Sequence, residues 1–305
     1  MSQILVELIK LANLIITVTK AFACAGRIEA VFEAPTGVHI YTEKELGGEA
    51  LAEKDAPAVV FEHVSLRYPA AGADELTDIH FTANRGETIG IIGGTGSGKS
   101  SLVQLIPRFY EVTGGRVLVN GQDVRTYQTE ELKDRIGIVP QKAVLFSGRI
   151  RDNIRFGKQD ATDAEIEEAL MVAQAKNFVD EKEGRLDFVV AQGGKNLSGG
   201  QKQRLTIARA VVKKPDILIL DDSASALDYA TDAALRKAIR ELDGRTTTFI
   251  VSQRTASVLH ADKIIGLDDG EMVGIGRHEE LLATCPVYKE IYDSQSTGRK
   301  ESEAV

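Results

Sequence analysis

The loop Gly93-Gly94-Thr95-Gly96-Ser97-Gly98-Lys99-Ser100 restricts the folds open to this chain more than any other stretch. It matches GxxxxGK[ST], directly after residues 87–92, which read as a strand, and directly before a helical run over 101–106. Strand, glycine loop and helix in that order belong to an α/β nucleotide-domain layout. The loop also carries chemistry. Its glycines let backbone amides approach phosphate oxygens, and the following helix N-terminus favours an anion. Lys99 offers a positive charge to the β and γ phosphates, and Ser100 a hydroxyl to magnesium. Ser101 is counted with these phosphate-binding residues.

The pattern around the loop agrees with that layout. Residues 59–64 form a short β-branched run, and Asn120-Gly121 after 117–119 is a tight hairpin signal. Thr162 with Glu165 forms a capping box that opens a helix to about Gln174. The continuous apolar run 217–220 suits a strand covered on both faces of a parallel sheet. Residues 246–251 and 263–267 continue the series, and Asp269-Gly270 turns the chain into 271–275.

Two further motifs extend the chemistry. The run Ile217-Leu218-Ile219-Leu220 ends in Asp221, a carboxylate at a strand's C-terminal end, where an open α/β sheet delivers its ligand site and where magnesium can be held. Leu197-Ser198-Gly199-Gly200-Gln201 precedes a helix running through Ala210 and presents a second set of amides at a positive helix end. One nucleotide needs one such loop, so the second end suits a nucleotide held by another subunit.

With the glycine loop, the LSGGQ segment and the Asp221 strand present together, the chain resembles the nucleotide-binding domain of ABC transporters. The type it resembles is the exporter in which one chain fuses a membrane domain to an ATPase domain. The resemblance covers residue 59 to about 291. It implies a P-loop NTPase core with an antiparallel β subdomain and a helical signature subdomain, preceded by a long N-terminal helix. It also implies a head-to-tail dimer holding two ATP molecules with Mg2+, each between one chain's P-loop and the other's signature loop. On that mapping Tyr68 falls at the adenine-stacking position. Gln141 falls at the Q-loop, which senses magnesium and contacts the membrane domain, and Ser225-Ala226-Leu227-Asp228 falls at the D-loop, with Asp228 near the shared sites.

The departures from that family are as informative. The residue after Asp221 is ordinarily a glutamate that positions or deprotonates the attacking water, and here it is Asp222. The missing methylene withdraws the carboxylate by about 1.5 Å, and misplacements of about 1 Å can cost on the order of a hundredfold in rate. Gln253 stands where the family places a switch histidine; an amide hydrogen-bonds but cannot carry a proton to the γ-phosphate. Gln192 likewise replaces an acidic residue common in exporters. Asp222 and Gln253 together point to a degenerate ATP site in one half of a heterodimeric exporter, whose intact signature loop completes a competent site on its partner. A homodimeric, slower transporter half, a soluble ABC ATPase and an ATP-binding regulator are the alternatives.

The first thirty residues read as a helix apolar on neighbouring faces, with Ile4, Leu8, Leu11, Ile15, Val18 and Phe22 at helical spacing. Glu7, Lys10 and Lys20 interrupt it, and its uncharged run is too short to cross a bilayer alone. By the resemblance, 1–32 correspond to the end of the last transmembrane helix and its cytoplasmic extension, 33–56 to a linker, 57–295 to the ATP-binding domain, and 296–305 to a disordered tail. A membrane domain ahead of residue 1 is then expected, with the ATPase domain on the cytoplasmic side of the membrane. A net charge of −8 argues against a broad nucleic-acid footprint. Cys24 and Cys285 lie far apart and read as apolar fillers.

Overall fold

The computed structural model describes residues 2–33, 41–42, 45, 56–69, 71–223, 227–242 and 246–302. The chain divides into two units, Met1–His39 and Ile40–Val305. The first is the helix Ser2–Glu33. Its large apolar side chains, including Leu8, Ile15 and Phe22, are exposed, since among the described residues its unit holds no second element to bury them. Among the described residues no helix is long and apolar enough to cross a membrane. Cys24 is exposed on this helix, contrary to its reading as a filler, whereas Cys285 is buried in the core of the second unit. The segment read as a linker falls almost wholly outside the described residues.

The second unit holds twelve described strands: β1 Val59–Leu66, β2 Leu76–Ala83, β3 Thr88–Gly93, β4 Gly114–Val119, β5 Gln122–Asp123, β6 Ile136–Val139, β7 Gly148–Arg149, β8 Val189–Val190, β9 Ile217–Asp221, β10 Thr247–Ser252, β11 Lys263–Asp268 and β12 Glu271–Gly276. A six-stranded sheet has the order β12-β11-β3-β10-β9-β6, parallel except for β12. Its central strands are buried along their length, and their sequences accordingly run apolar without alternation. A four-stranded antiparallel sheet has the order β2-β1-β4-β5. The turn between β4 and β5 has both Asn120 (φ 52°) and Gly121 (φ 83°) left-handed, as a type I′ hairpin requires. β2, not evident from the sequence, alternates buried and exposed positions along much of its length, as expected where one face packs and the other meets water.

Aromatic packing joins the two sheets. Phe61 of β1 stacks on Phe81 of β2 with ring centroids 4.6 Å apart, and Phe81 meets Phe249 of β10 at 6.5 Å. A separate apolar cluster lies under the helices Ile150–Arg155, Asp163–Val172 and Gly199–Val211, the helical subdomain that carries the LSGGQ segment. Arg209 ties that subdomain together: its guanidinium donates to the carbonyls of Asn153 and Val144 and to the Asn153 side chain, at 2.8, 3.0 and 3.0 Å. The capping box at Thr162 and Glu165 is formed. The last helix runs Pro286–Ser302, so helical backbone occupies 296–302 where the composition suggests a disordered tail. Because Phe249 is fully buried at the junction of the sheets, Phe249→Ala should lower stability by about 3–5 kcal/mol, measured as a fall in the urea midpoint at unchanged slope.

Candidate functional site

Parallel pairing decides where the functional residues meet. Val251 of β10 lies beside Asp221 of β9, Ser252 lies beside Ile92 of β3, and Gly93 lies beside Leu267 of β11. The loops leaving β3, β9 and β10 therefore emerge at one carboxyl edge, the place where open α/β sheets bind ligands. The first leads into Lys99 and Ser100 at a helix start, and the other two carry Asp222 and Gln253.

A cavity of about 220 Å³ lies there, lined by Thr95, Gly96, Gly98, Lys99, Ser100, Ser101, Gln141, Asp221, Asp222 and Gln253, together with Glu75, Val251 and Ser252. It is smaller than the roughly 300–1,000 Å³ that a whole ligand of drug size occupies, so it suits a phosphate tail with the base outside. Tyr68 is not part of its wall, but its hydroxyl donates to Ser101 Oγ at 2.9 Å, and its ring meets Tyr110 edge-on at 4.9 Å. Gly93, Gly94, Ser97 and Asp228 also lie outside the lining, as do Ser198, Gly199, Gly200 and Gln201.

The glycine loop is shaped by its own geometry. Gly98 is the N-cap of the helix Lys99–Leu105 with φ 88°, and a Cβ there would approach the Leu76 side chain to 2.7 Å. Only glycine fits both conditions. Lys99 is buried and donates to the Gly94 carbonyl and, at 3.2 Å, to Ser97 Oγ. Burial pushes its ammonium below its ordinary pKa, against the opposing pull of the Asp222 and Asp221 carboxylates.

Ser100 Oγ donates to Asp221 Oδ1 at 3.0 Å. A hydroxyl and a carboxylate at that distance form an oxygen donor pair of the kind magnesium takes, so the residues fit the metal that a triphosphate brings. Bound there, magnesium would neutralise charge on the phosphate oxygens. Burial raises the Asp221 carboxyl above the usual range; Ser100 draws it back down, Asp222 raises it further, and Lys99 lowers it. Gln141 Nε2 donates to Asp222 Oδ2 at 3.3 Å, linking the two residues across the cavity.

Asp222 has a left-handed backbone, φ 43°, held by its N–H on the Val251 carbonyl at 2.9 Å. Aspartate tolerates that region better than longer side chains do, because its short carboxylate can hydrogen-bond locally. The backbone thus supplies a reason for Asp at this position that its sequence neighbours do not reveal. Gln253 is exposed at the cavity wall, and its carbonyl accepts from Gln295 Nε2 at 2.7 Å, while Gln295 Oε1 accepts from the Thr255 amide and hydroxyl. Sequence reading missed Gln295, which sits in a polar stretch with no local signal. It also missed Glu75, whose carboxylate accepts from Ser101 Oγ at 2.8 Å.

The second anion-suited end is built separately. Ser198 caps the helix Gly199–Val211: its hydroxyl accepts from the Gln201 amide, and the Gln201 side chain accepts from the Ser198 amide. A Cβ on Gly199 would meet nothing within 4 Å, so no contact among the described residues requires glycine there. Asp228 caps the helix Tyr229–Arg240 through the Thr231 amide, which holds its carboxyl below the usual range. Ser225 and Ala226 lie outside the described residues. Gln192 is exposed in a turn, Gln192–Gly194, with left-handed backbone at Gly193.

The chain is similar to several known proteins. A family profile described as ABC transporter matches residues 76–225. An uncharacterized ABC transporter ATP-binding protein of Mycobacterium tuberculosis is 44% identical over 97% of this chain and 50% of its own length. A putative multidrug export ATP-binding/permease protein of Bacillus subtilis is 39% identical over 94% of this chain and 49% of its own. The solved structure of a bacterial Atm1-family ABC exporter with ATP bound superposes with a TM-score of 0.83 at 31% identity, covering 92% of this chain and 48% of that one. The chain spans about half the length of the curated relatives it matches.

Asp221 also carries a pH consequence. A folded-state pKa above the unfolded one means that its contribution to stability is full below the unfolded carboxylate pKa and is lost as pH rises through the folded value. At neutral pH the ionised carboxylate is a net cost, as active-site groups commonly are. Asp221→Asn should therefore raise the stability of the nucleotide-free protein at pH 7 by roughly 0.5–2 kcal/mol while removing the extra stabilisation by Mg-ATP. Thermal melts with and without Mg-ATP read both effects.

Proposed function

This chain carries an ABC transporter ATP-binding domain of the exporter type, and on that premise we propose that it is the ATPase module of one exporter half, working head-to-tail with a different half. Binding and hydrolysis of ATP across that pair drive export through a permease region of the kind the relatives' ATP-binding/permease descriptions name. The ATPase domain then lies on the cytoplasmic side of the cytoplasmic membrane. The helix Ser2–Glu33, with its exposed apolar surface, serves as the end of the last transmembrane helix and its cytoplasmic extension.

The observation that carries the finer reading is the cavity wall. Lys99, Ser100 and Asp221 bind phosphate and magnesium, while Asp222 and Gln253, the groups next to the γ-phosphate position, are the two that depart from the hydrolytic pattern. Asp222 reaches about 1.5 Å less far than a glutamate, and neutral Gln253 has no proton to move. Both losses fall on one cavity, whereas the signature loop stands outside it with an open glycine end. ATP dwells in this chain's own P-loop site, and the signature loop completes a faster site on the partner.

The chain alone should hydrolyse ATP slowly. Asp222→Glu combined with Gln253→His should raise its turnover by on the order of tenfold or more, read as phosphate release at saturating Mg-ATP, with melts to check the glutamate at its left-handed backbone. If the isolated homodimer already turns over as fast as the double variant or a reconstituted pair, the degenerate-site reading fails.

A further inference from the structure

β1 and β2 pair with two register shifts that mirror each other. Between the pairs Phe61↔Phe81 and Val64↔Ile79, β1 has two residues, Glu62 and His63, where β2 has only His80; between Val64↔Ile79 and Leu66↔Leu76, β2 has Thr77 and Asp78 where β1 has only Ser65. Each bulge contains one left-handed residue, His63 (φ 49°) on one strand and Asp78 (φ 50°) on the other. Bulges re-aim side chains, and these two bring His63 Nδ1 to 2.6 Å from Asp78 Oδ1. The His63 and His80 rings stack at 5.5 Å, and one potential ligand atom from each of His63, Asp78 and His80 lies within 4.8 Å of the others.

We propose that His63, Asp78 and His80 form a binding site for a divalent transition-metal ion of the zinc class, with a further coordination position open to water. Two imidazoles and one carboxylate favour zinc and its neighbours over magnesium or calcium. Bonds of about 2.0–2.2 Å at tetrahedral angles place ligand atoms about 3.3–3.5 Å apart. The His63–Asp78 spacing of 2.6 Å is shorter than that value, and the two side chains, 75% and 62% exposed, have room to turn by the difference. His80 Nδ1 lies 3.1 Å from the Asp78 carbonyl oxygen. A proton held there leaves the Nε2 lone pair for the metal, the usual arrangement of a metal-bound histidine. An exposed His–Asp pair by itself contributes little to stability and accounts neither for His80 nor for two left-handed residues in facing bulges.

The site is distinct from the phosphate cavity but connected to it through the chain. β1 ends at Leu66 and β2 begins at Leu76, so an ion joining His63 to Asp78 clips the base of the loop that carries Tyr68 and Glu75. Glu75 lines the cavity.

The test uses the full chain with Cys24→Ser, so that its exposed thiol does not bind metal. The protein, stripped of metal, is titrated with Zn2+ alone against a chromogenic chelator, without nucleotide or magnesium. One Zn2+ per chain is expected, and His63→Ala and His80→Ala should each weaken binding by on the order of tenfold or more. Co2+ in place of Zn2+ should give visible bands that both variants lose. Circular dichroism and ATP affinity show whether the variants are folded, since none of the three residues lines the nucleotide cavity. No bound Zn2+ in the parent, or equal binding in folded His63→Ala and His80→Ala proteins, would overturn the proposal.

Discussion

The parallel register of β3, β10 and β9 is the constraint on which the rest of the structure depends. It aligns the ends of three strands far apart in sequence, so that Gly93, Asp221 and Ser252 lead into loops at one sheet edge. Each strand is buried on both faces, and a one-residue slip in any of them would turn its side chains to the opposite face of the sheet and shift its loop along the edge. The apolar content of these strands thus serves function as well as stability.

At that edge the molecule concentrates charge that burial disfavours. Lys99 is pushed toward its neutral form and Asp221 toward its protonated form, and both shifts begin with desolvation. Each partly offsets the other, and the Ser100 hydroxyl helps hold Asp221 ionised. The Lys99 ammonium and the Asp221 carboxylate thus share one partly desolvated pocket, each lessening the cost of the other's charge. Around it, hydrogen bonds from more distant elements set loop positions: Gln295 holds the Gln253 loop from the last helix, and Glu75 with Tyr68 holds Ser101 from the loop between β1 and β2.

Local chemistry was readable where it is local. The Asn120-Gly121 turn, the Thr162–Glu165 box and the strand before the P-loop depend on a few adjacent residues, and the structure forms each of them. β2 escaped notice because its polar positions, Thr77, Asp78, His80 and Thr82, dilute an apolar pattern that makes sense only against β1 and the core. Glu75 and Gln295 escaped it because their partners lie 26 and more residues away and no motif surrounds them.

Sequence alone determined that this chain is an α/β nucleotide-binding domain with one P-loop, one aspartate-tipped strand and a separate signature helix end, because each is a contiguous pattern whose physics is local. Tertiary structure alone decided that Asp222 and Gln253 share one cavity wall with Lys99 and that Ser198–Gln201 stand outside it. It also decided that the backbone at Asp222 is left-handed and that facing bulges gather His63, Asp78 and His80. These outcomes depend on strand register and on loops meeting across the fold, relations that no stretch of adjacent residues encodes.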